Sequence, residues 1–281
     1  MYRFLLKPKW IAFHLLCIAL VVLMVNLGFW QLHRLESRKD FNAQVTERAG
    51  QPAAPFDQVV PAGVDPADVE WRHVLVGGEY LADEQLIEIN RGQGGQVGVN
   101  LVTPLRLADG STLLVNRGFV ASPDLTAATA PAPPAGSIEI EGRVRVSEER
   151  SFGGFTEPSG QLTEIQRIDI PRLTEQLPAP VQPVYIDLIA AKPAQDASII
   201  PVPEPELGEG PHLSYMLQWW FFALCVVIGW VLAVRRSAKQ HQRDRDKALS
   251  EGVGAAAADS PLPSDDAPTT APIGTPGSSL D

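Results

Sequence analysis

Two stretches of this chain are apolar without a break, and between them apolar and polar positions alternate. Residues 11–30, IAFHLLCIALVVLMVNLGFW, and residues 213–234, LSYMLQWWFFALCVVIGWVLAV, contain no Asp, Glu, Lys or Arg. About 20 helical residues, at ~1.5 Å rise each, cross a ~30 Å hydrocarbon core, and within lipid a helix satisfies its own backbone hydrogen bonds. Both stretches are therefore predicted to be transmembrane α-helices. The first does not read as a cleaved secretory signal. Its apolar run exceeds the usual length of about 7–15 residues, and it ends in Gly28-Phe29-Trp30-Gln31 rather than a small-x-small cleavage site.

Helix-forming residues continue from 31 to 48, with Leu32, Leu35 and Val45 set among charges, and predict an extension of the first helix that stops by Gly50. Residues 51–66 are rich in Pro, Ala, Gly and Asp and read as a linker or loop. Beyond them the period changes to two, as half-buried strands require. Val74 and Val76 alternate, as do Ile87 and Ile89. Val97–Leu107 and Thr112–Val120 read as a hairpin closed by Ala108-Asp109-Gly110-Ser111, whose Asp-Gly pair supplies positive φ values. Ile138, Ile140, Val144 and Val146 form a strand pair or one bent strand, with Gly142 permitting a bulge. Leu162–Ile168 and Val184–Leu188 complete the strands, and Pro171–Leu177 reads as a short helix begun near Asp169. Six to eight strands and few helices predict one β-rich (α+β) domain over residues 31–212, an antiparallel sheet or small barrel. From Gly252 onward Ala, Pro, Ser, Thr, Gly and Asp dominate and predict a disordered tail.

Charge sets the expected orientation. Arg235, Arg236, Lys239, Arg243, Arg245 and Lys247 follow the second apolar stretch, whereas residues 193–212 before it carry only acidic charges. Basic flanks stay cytoplasmic, so residues 1–10 and 235–281 are expected in the cytoplasm and residues 31–212 outside it, in a multi-pass protein of the plasma membrane. The segment 31–212 holds 14 basic and 26 acidic side chains, a net charge of −12, which argues against nucleic acid as a partner. Both cysteines, Cys17 and Cys225, lie in the apolar stretches, so the middle domain has neither a disulfide nor a thiolate metal site.

Enzyme chemistry finds little support. Arg91-Gly92-Gln93-Gly94-Gly95 lies between two strand patterns, where a turn is a better reading than a phosphate loop. His33, His73 and His212 lack the nucleophile motif that a hydrolase would need, so no enzymatic activity is expected. His33 and His212 do sit at one level, at the ends of the two spans. Two imidazoles there could ligate a haem iron, and Trp30, Trp219, Trp220, Phe221 and Phe222 could pack on a porphyrin; aromatic and His side chains also favour the membrane boundary for their own sake. Cys17, Cys225 and His14 read most simply as buried or interfacial groups. Arg117 reads as a salt-bridge partner for a carboxylate, or as the fork that would take a propionate.

Four segments, in order, resemble one family. Gly28-Phe29-Trp30-Gln31-Leu32-His33-Arg34-Leu35 is similar to a Gly-x-Trp-Gln-x-x-Arg segment. Arg72-His73-Val74 with Val76-Gly77 is similar to a first strand motif. Val102-Thr103-Pro104-Leu105 through Asp109-Gly110 to Val115-Asn116-Arg117-Gly118-Phe119-Val120 is similar to a central hairpin. His212-Leu213-Ser214-Tyr215 with Gln218-Trp219 is similar to a His-Leu-Ser-Tyr-x-x-Gln-Trp signature. The chain thus resembles, over about residues 10–235, the Surfeit locus protein 1 family of cytochrome c oxidase assembly factors. Phe119 stands where that family commonly has Trp, and the following proline is displaced to Pro123. The resemblance implies a maturation factor for a haem-copper oxidase that takes haem a from its synthesis enzymes and hands it to the catalytic subunit. It marks His212 as the haem-iron ligand, and with His33, Trp30, Tyr215, Trp219 and Arg117 this residue makes up the candidate cofactor site. The alternative is a membrane scaffold that holds oxidase or respiratory subunits and binds no cofactor.

Overall fold

The computed structural model describes residues 3–149, 158–178 and 180–258. The chain divides into two units, one formed by residues up to Leu32 together with those from Pro211 on, the other by His33–Gly210.

The helical unit rests on α1 (Pro8–Ala49) and α5 (His212–Ala258), both long and apolar enough to cross a membrane. A core helix of a soluble protein would bury its apolar side chains. Here Leu15, Leu16, Ile18, Leu23, Leu217, Phe221 and Leu224 stay exposed, the surface that lipid covers. At ~1.5 Å per residue, the 42 residues of α1 extend about 63 Å, roughly twice the hydrocarbon thickness. No residue breaks the helix between its apolar and charged parts, as the run of helix formers predicts. α5 continues past Gly252 to Ala258, so the first part of the expected disordered tail is helical, consistent with the high helix propensity of the Ala255–Ala258 run. The remainder of that tail lies outside the described residues.

The second unit holds β1 (Ala54–Pro55), α2 (Phe56–Val59), α3 (Pro66–Val69), β2 (His73–Tyr80), β3 (Leu86–Gln93), β4 (Gln96–Leu107), β5 (Thr112–Val120), β6 (Ser137–Val146), β7 (Glu164–Ile165), α4 (Ile170–Thr174) and β8 (Val181–Lys192). The sheet order is β1-β2-β6-β8-β5-β4-β3-β7, and an added β2–β4 pairing closes a ring of β2, β4, β5, β8 and β6. The ring runs β6, β2, β4, β5 and β8, with β8 bridging β5 and β6 to seal the barrel, while β3 pairs with β4 outside it. The sheet is mixed rather than wholly antiparallel. β5 and β8 run parallel, which the long connection between them permits; β1–β2 and β3–β7 are parallel as well.

Local sequence explains most strand ends. Asp109 accepts from the Ser111 backbone N–H, and Gly110 takes φ +83°, closing the β4–β5 turn. Gly94 and Gly95, both at positive φ, form the β3–β4 turn. β6 is one strand, and its register with β8 shifts between Glu141 and Gly142, where a side chain at 142 would meet Ile186.

β5 is buried on both faces and so does not alternate. Leu113 and Val115 point into the barrel with Val74, Ile138, Ile140, Val144 and Ile186, while Leu114 faces a second core of Leu86, Ile165, Ile168, Leu173 and Tyr185. Two readings of the sequence are corrected here. Residues 51–66 are no plain linker, because Phe56, Val59 and Val60 enter the barrel core. Leu162–Ile168 yields only the two-residue β7, since Leu162, Ile165 and Ile168 recur every three residues and all fill the second core.

Candidate functional site

The helical unit is pinned by side chains recurring every turn. On α5, Met216 and Ala223 are buried, and His212, Met216, Trp220 and Ala223 follow i, i+4, i+8, i+11 spacing. On α1, Gly28 and Gln31 are buried. Gly28 makes room for Trp220: a Cβ at position 28 would run into the indole, which also meets Phe29 edge-on at 5.6 Å between ring centroids. One turn on, His212 Nδ1 lies 2.9 Å from Gln31 Oε1. An amide oxygen only accepts, so Nδ1 donates, and in the neutral imidazole Nε2 then keeps its lone pair. That is the tautomer a metal-binding imidazole needs, oriented by a fixed hydrogen bond on its other nitrogen. The Trp220 indole N–H, also buried, has no acceptor among the described residues.

The remaining sequence candidates are dispersed. Trp30 and Tyr215 are exposed, and Trp219 is half-buried against Phe222 at 6.1 Å. His33 is exposed on α1 two residues after Gln31, a separation at which helical side chains do not share a face. Gln31 was passed over as a site residue, although it stands inside the motif quoted above. The available signal was its place at the end of the first span, level with the residue that opens the second.

Arg117 belongs to the barrel unit and is fully buried there. It donates from Nη1 to Gln85 Oε1 at 2.7 Å and to the Pro131 carbonyl at 3.0 Å, and from Nη2 to the Ala132 carbonyl at 3.2 Å. Thr103 Oγ1 donates to the same Gln85 oxygen, and the Tyr80 ring lies under the guanidinium at 5.8 Å. Among the described residues no carboxylate pairs with it, so the expected salt bridge is replaced by backbone and amide oxygens. Burial lowers the Arg117 pKa and pushes the Tyr80 phenol up to about 12, with the Arg117 charge opposing the latter shift.

Two charged clusters complete the barrel. Asp187, buried, accepts from Asn116 Nδ2 at 3.0 Å and pairs with Arg143 and Arg145, each at 3.4 Å. Arg145 also stacks 4.1 Å over Trp71, which sits at φ +73° and donates its backbone N–H to Val144. So bulky a residue in left-handed backbone costs on the order of 1–3 kcal/mol and persists only where its surroundings impose it. In the second cluster, Asn90 at φ +61° turns β3 back so that Arg91 pairs with both Glu88 and Glu148, while Asn100 donates to Glu88.

Burial is the largest influence on Glu88 and raises its pKa, with Arg91 opposing. A carboxyl whose pKa is higher folded than unfolded contributes stability below the unfolded value, and that contribution is lost as pH rises through the folded one. Denaturation midpoints of the full-length protein should therefore lose a component as pH climbs from about 4.3, the ordinary Glu value, through the raised pKa. Glu88→Gln should flatten that component. Parallel pH profiles for wild type and variant would exclude Glu88 as its source.

The chain matches the family model described as the SURF1 family over residues 18–224. Uncharacterised SURF1-like proteins of Mycobacterium bovis and Mycobacterium tuberculosis are each 29% identical over 251 residues, spanning 88% of this chain and 90% of theirs. Surfeit locus protein 1 of Xenopus tropicalis is 27% identical over 238 residues, 75% of this chain and 71% of the relative.

Proposed function

Because the chain belongs to the SURF1 family, we propose that it is a membrane-anchored assembly factor for a haem-copper terminal oxidase, carrying haem a transiently on His212. The carrying observation is the His212–Gln31 hydrogen bond, which leaves Nε2 able to ligate iron. Trp220 adds, on the same helix, a buried indole N–H without an acceptor among the described residues. Arg117 is a poorer propionate partner, since it is fully buried in the barrel unit and its two terminal nitrogens already donate to Gln85, Pro131 and Ala132.

Haem is the cargo here, and it supplies an iron that takes axial nitrogen ligands. The protein's part is to hold one imidazole in the correct tautomer and to release the group to the oxidase catalytic subunit, the haem a synthesis enzymes being the donors. The proposed placement is the plasma membrane, with both termini cytoplasmic and residues 31–212 outside, on the strength of the basic residues after the second span.

Full-length protein purified from cells that make haem a should carry a haem absorbance band that His212→Ala abolishes. Gln31→Ala should retain the band but weaken haem affinity by about 10–100-fold, the usual effect of removing a group that orients a ligand. A wild-type protein without the band, or an unchanged band in His212→Ala, would leave the scaffold reading in its place.

A further inference from the structure

At the far end of the helical unit from His212, α1 and α5 frame a groove of about 330 Å³, lined by His14, Cys17, Val21, Val22, Val226 and Trp230 among others. On α1 these residues follow i, i+3, i+7, i+8 spacing and share one face. The volume lies at the lower end of the range for small-molecule sites. The walls are apolar apart from an imidazole, a thiol and an indole.

The polar contact in this groove has a fixed direction. Trp230 Nε1 donates to His14 Nδ1 at 2.8 Å, and an indole N–H is a donor only. The His14 proton therefore sits on Nε2, the reverse of the arrangement at His212. The ring has no lone pair left for a metal, and among the described residues no group of three metal-ligating side chains exists. What His14 offers is a single N–H. Among the described residues Nε2–H has no acceptor, and His14 lies within the apolar run 11–30, where an unsatisfied donor is costly and water is scarce.

Two flat rings line the groove, those of His14 and Trp230, and Trp10 and Phe13 pack behind His14. Trp10 meets Phe13 edge-on at 5.6 Å and His14 at 5.7 Å, and His14 meets Trp230 edge-on at 5.8 Å. An N–H donor beside aromatic rings, opening on a trough of valines, matches a flat carbonyl-bearing ring with an apolar tail. We propose that this groove binds a prenylated quinone, with one ring carbonyl accepting from His14 Nε2–H, the ring against the Trp230 indole and the tail along Val21, Val22 and Val226. A phospholipid shares the carbonyl and the tail but has no ring to use the aromatic side chains.

The test uses the full-length protein, freed of endogenous quinone and placed in nanodiscs, titrated with decylubiquinone while tryptophan fluorescence is followed. Saturable quenching is expected. His14→Phe should weaken binding by about tenfold, the worth of one hydrogen bond in an apolar site. His14→Gln, which restores an N–H donor, should recover most of the affinity, and Val226→Trp, which fills the trough, should abolish it. His212→Ala should bind the probe as wild type does, which separates this site from the haem proposal. Quenching without saturation, or equal affinity in wild type, His14→Phe and Val226→Trp, would overturn the proposal. So would a phospholipid retained at one per protein that depends on His14 and is not displaced by decylubiquinone.

Discussion

Asp187→Ala should destabilise the barrel by about 3–5 kcal/mol, the cost of leaving a buried charge without its partner. Asp187 is 2% exposed and Arg143 3%, so water cannot take over the missing role. Asp187 lies on β8 and Arg143 on β6, directly opposite in register, while Asn116 reaches the same carboxylate from β5. One side chain thus ties three neighbouring strands of the ring. Arg145 would lose least, because Glu70 at 3.2 Å and the Trp71 ring remain to it. Asp187→Asn keeps an acceptor for Arg143 and should cost less than Asp187→Ala. Replacing Asp187 and Arg143 together with Leu and Met should recover much of the loss, since two well-packed apolar residues often equal a buried ion pair. Chemical denaturation of the full-length protein in detergent measures all three. A loss below about 1 kcal/mol for Asp187→Ala would mean that the network is hydrated and the charges are not truly buried.

Arg117→Leu should cost about 3 kcal/mol for a different reason. The leucine fills part of the volume but leaves the buried Gln85 amide oxygen short of a donor, at about 1–3 kcal/mol for a buried group left unsatisfied, and takes away the bonds to the less buried carbonyls of Pro131 and Ala132. These two carbonyls are where the β5–β6 connection meets the barrel, so proteolysis between residues 121 and 136 should accelerate before global unfolding does. Arg117→Lys should rescue little, because an ammonium cannot copy a fork that serves three oxygens. Haem bound per folded molecule should be unchanged in both variants. A drop in that ratio would return Arg117 to the cofactor site, where the sequence reading had placed it.

The partners of Arg117 show which information a sequence carries. The apolar spans, the Asp109-Gly110 turn and the bulge at Gly142 are local features, each written in a few adjacent residues, and each is found where it was read. The partners of Arg117 are mainly backbone carbonyls, which have no residue-type signature, so the reading fell back on the commonest partner, a carboxylate. Closure of the ring through β2 and β4 joins Gly78 to Leu107 and Tyr80 to Leu105, which no local pattern announces. The parallel pairing of β5 with β8 was hidden for the same reason. At the helix ends, His212 is legible from its level with His33 and from the His-Leu-Ser-Tyr segment that resembles the family signature. Gln31 is an ordinary residue at a span end, and its role depends on the facing helix.

The β5–β8 pairing also bears on how the protein is made. Thr112 pairs with Val181, about 70 residues further along the chain. At a synthesis rate of roughly 5–20 residues per second, the β5 edge waits on the order of 3–14 s for its partner. Throughout that interval a strand destined for burial on both faces has one side of its backbone unpaired, a template on which another nascent chain can add. The second apolar span begins only after β8 is complete, so the barrel has its last strand in hand before the chain is anchored at both ends. Yield in a cell therefore depends on what shields β5 during those seconds.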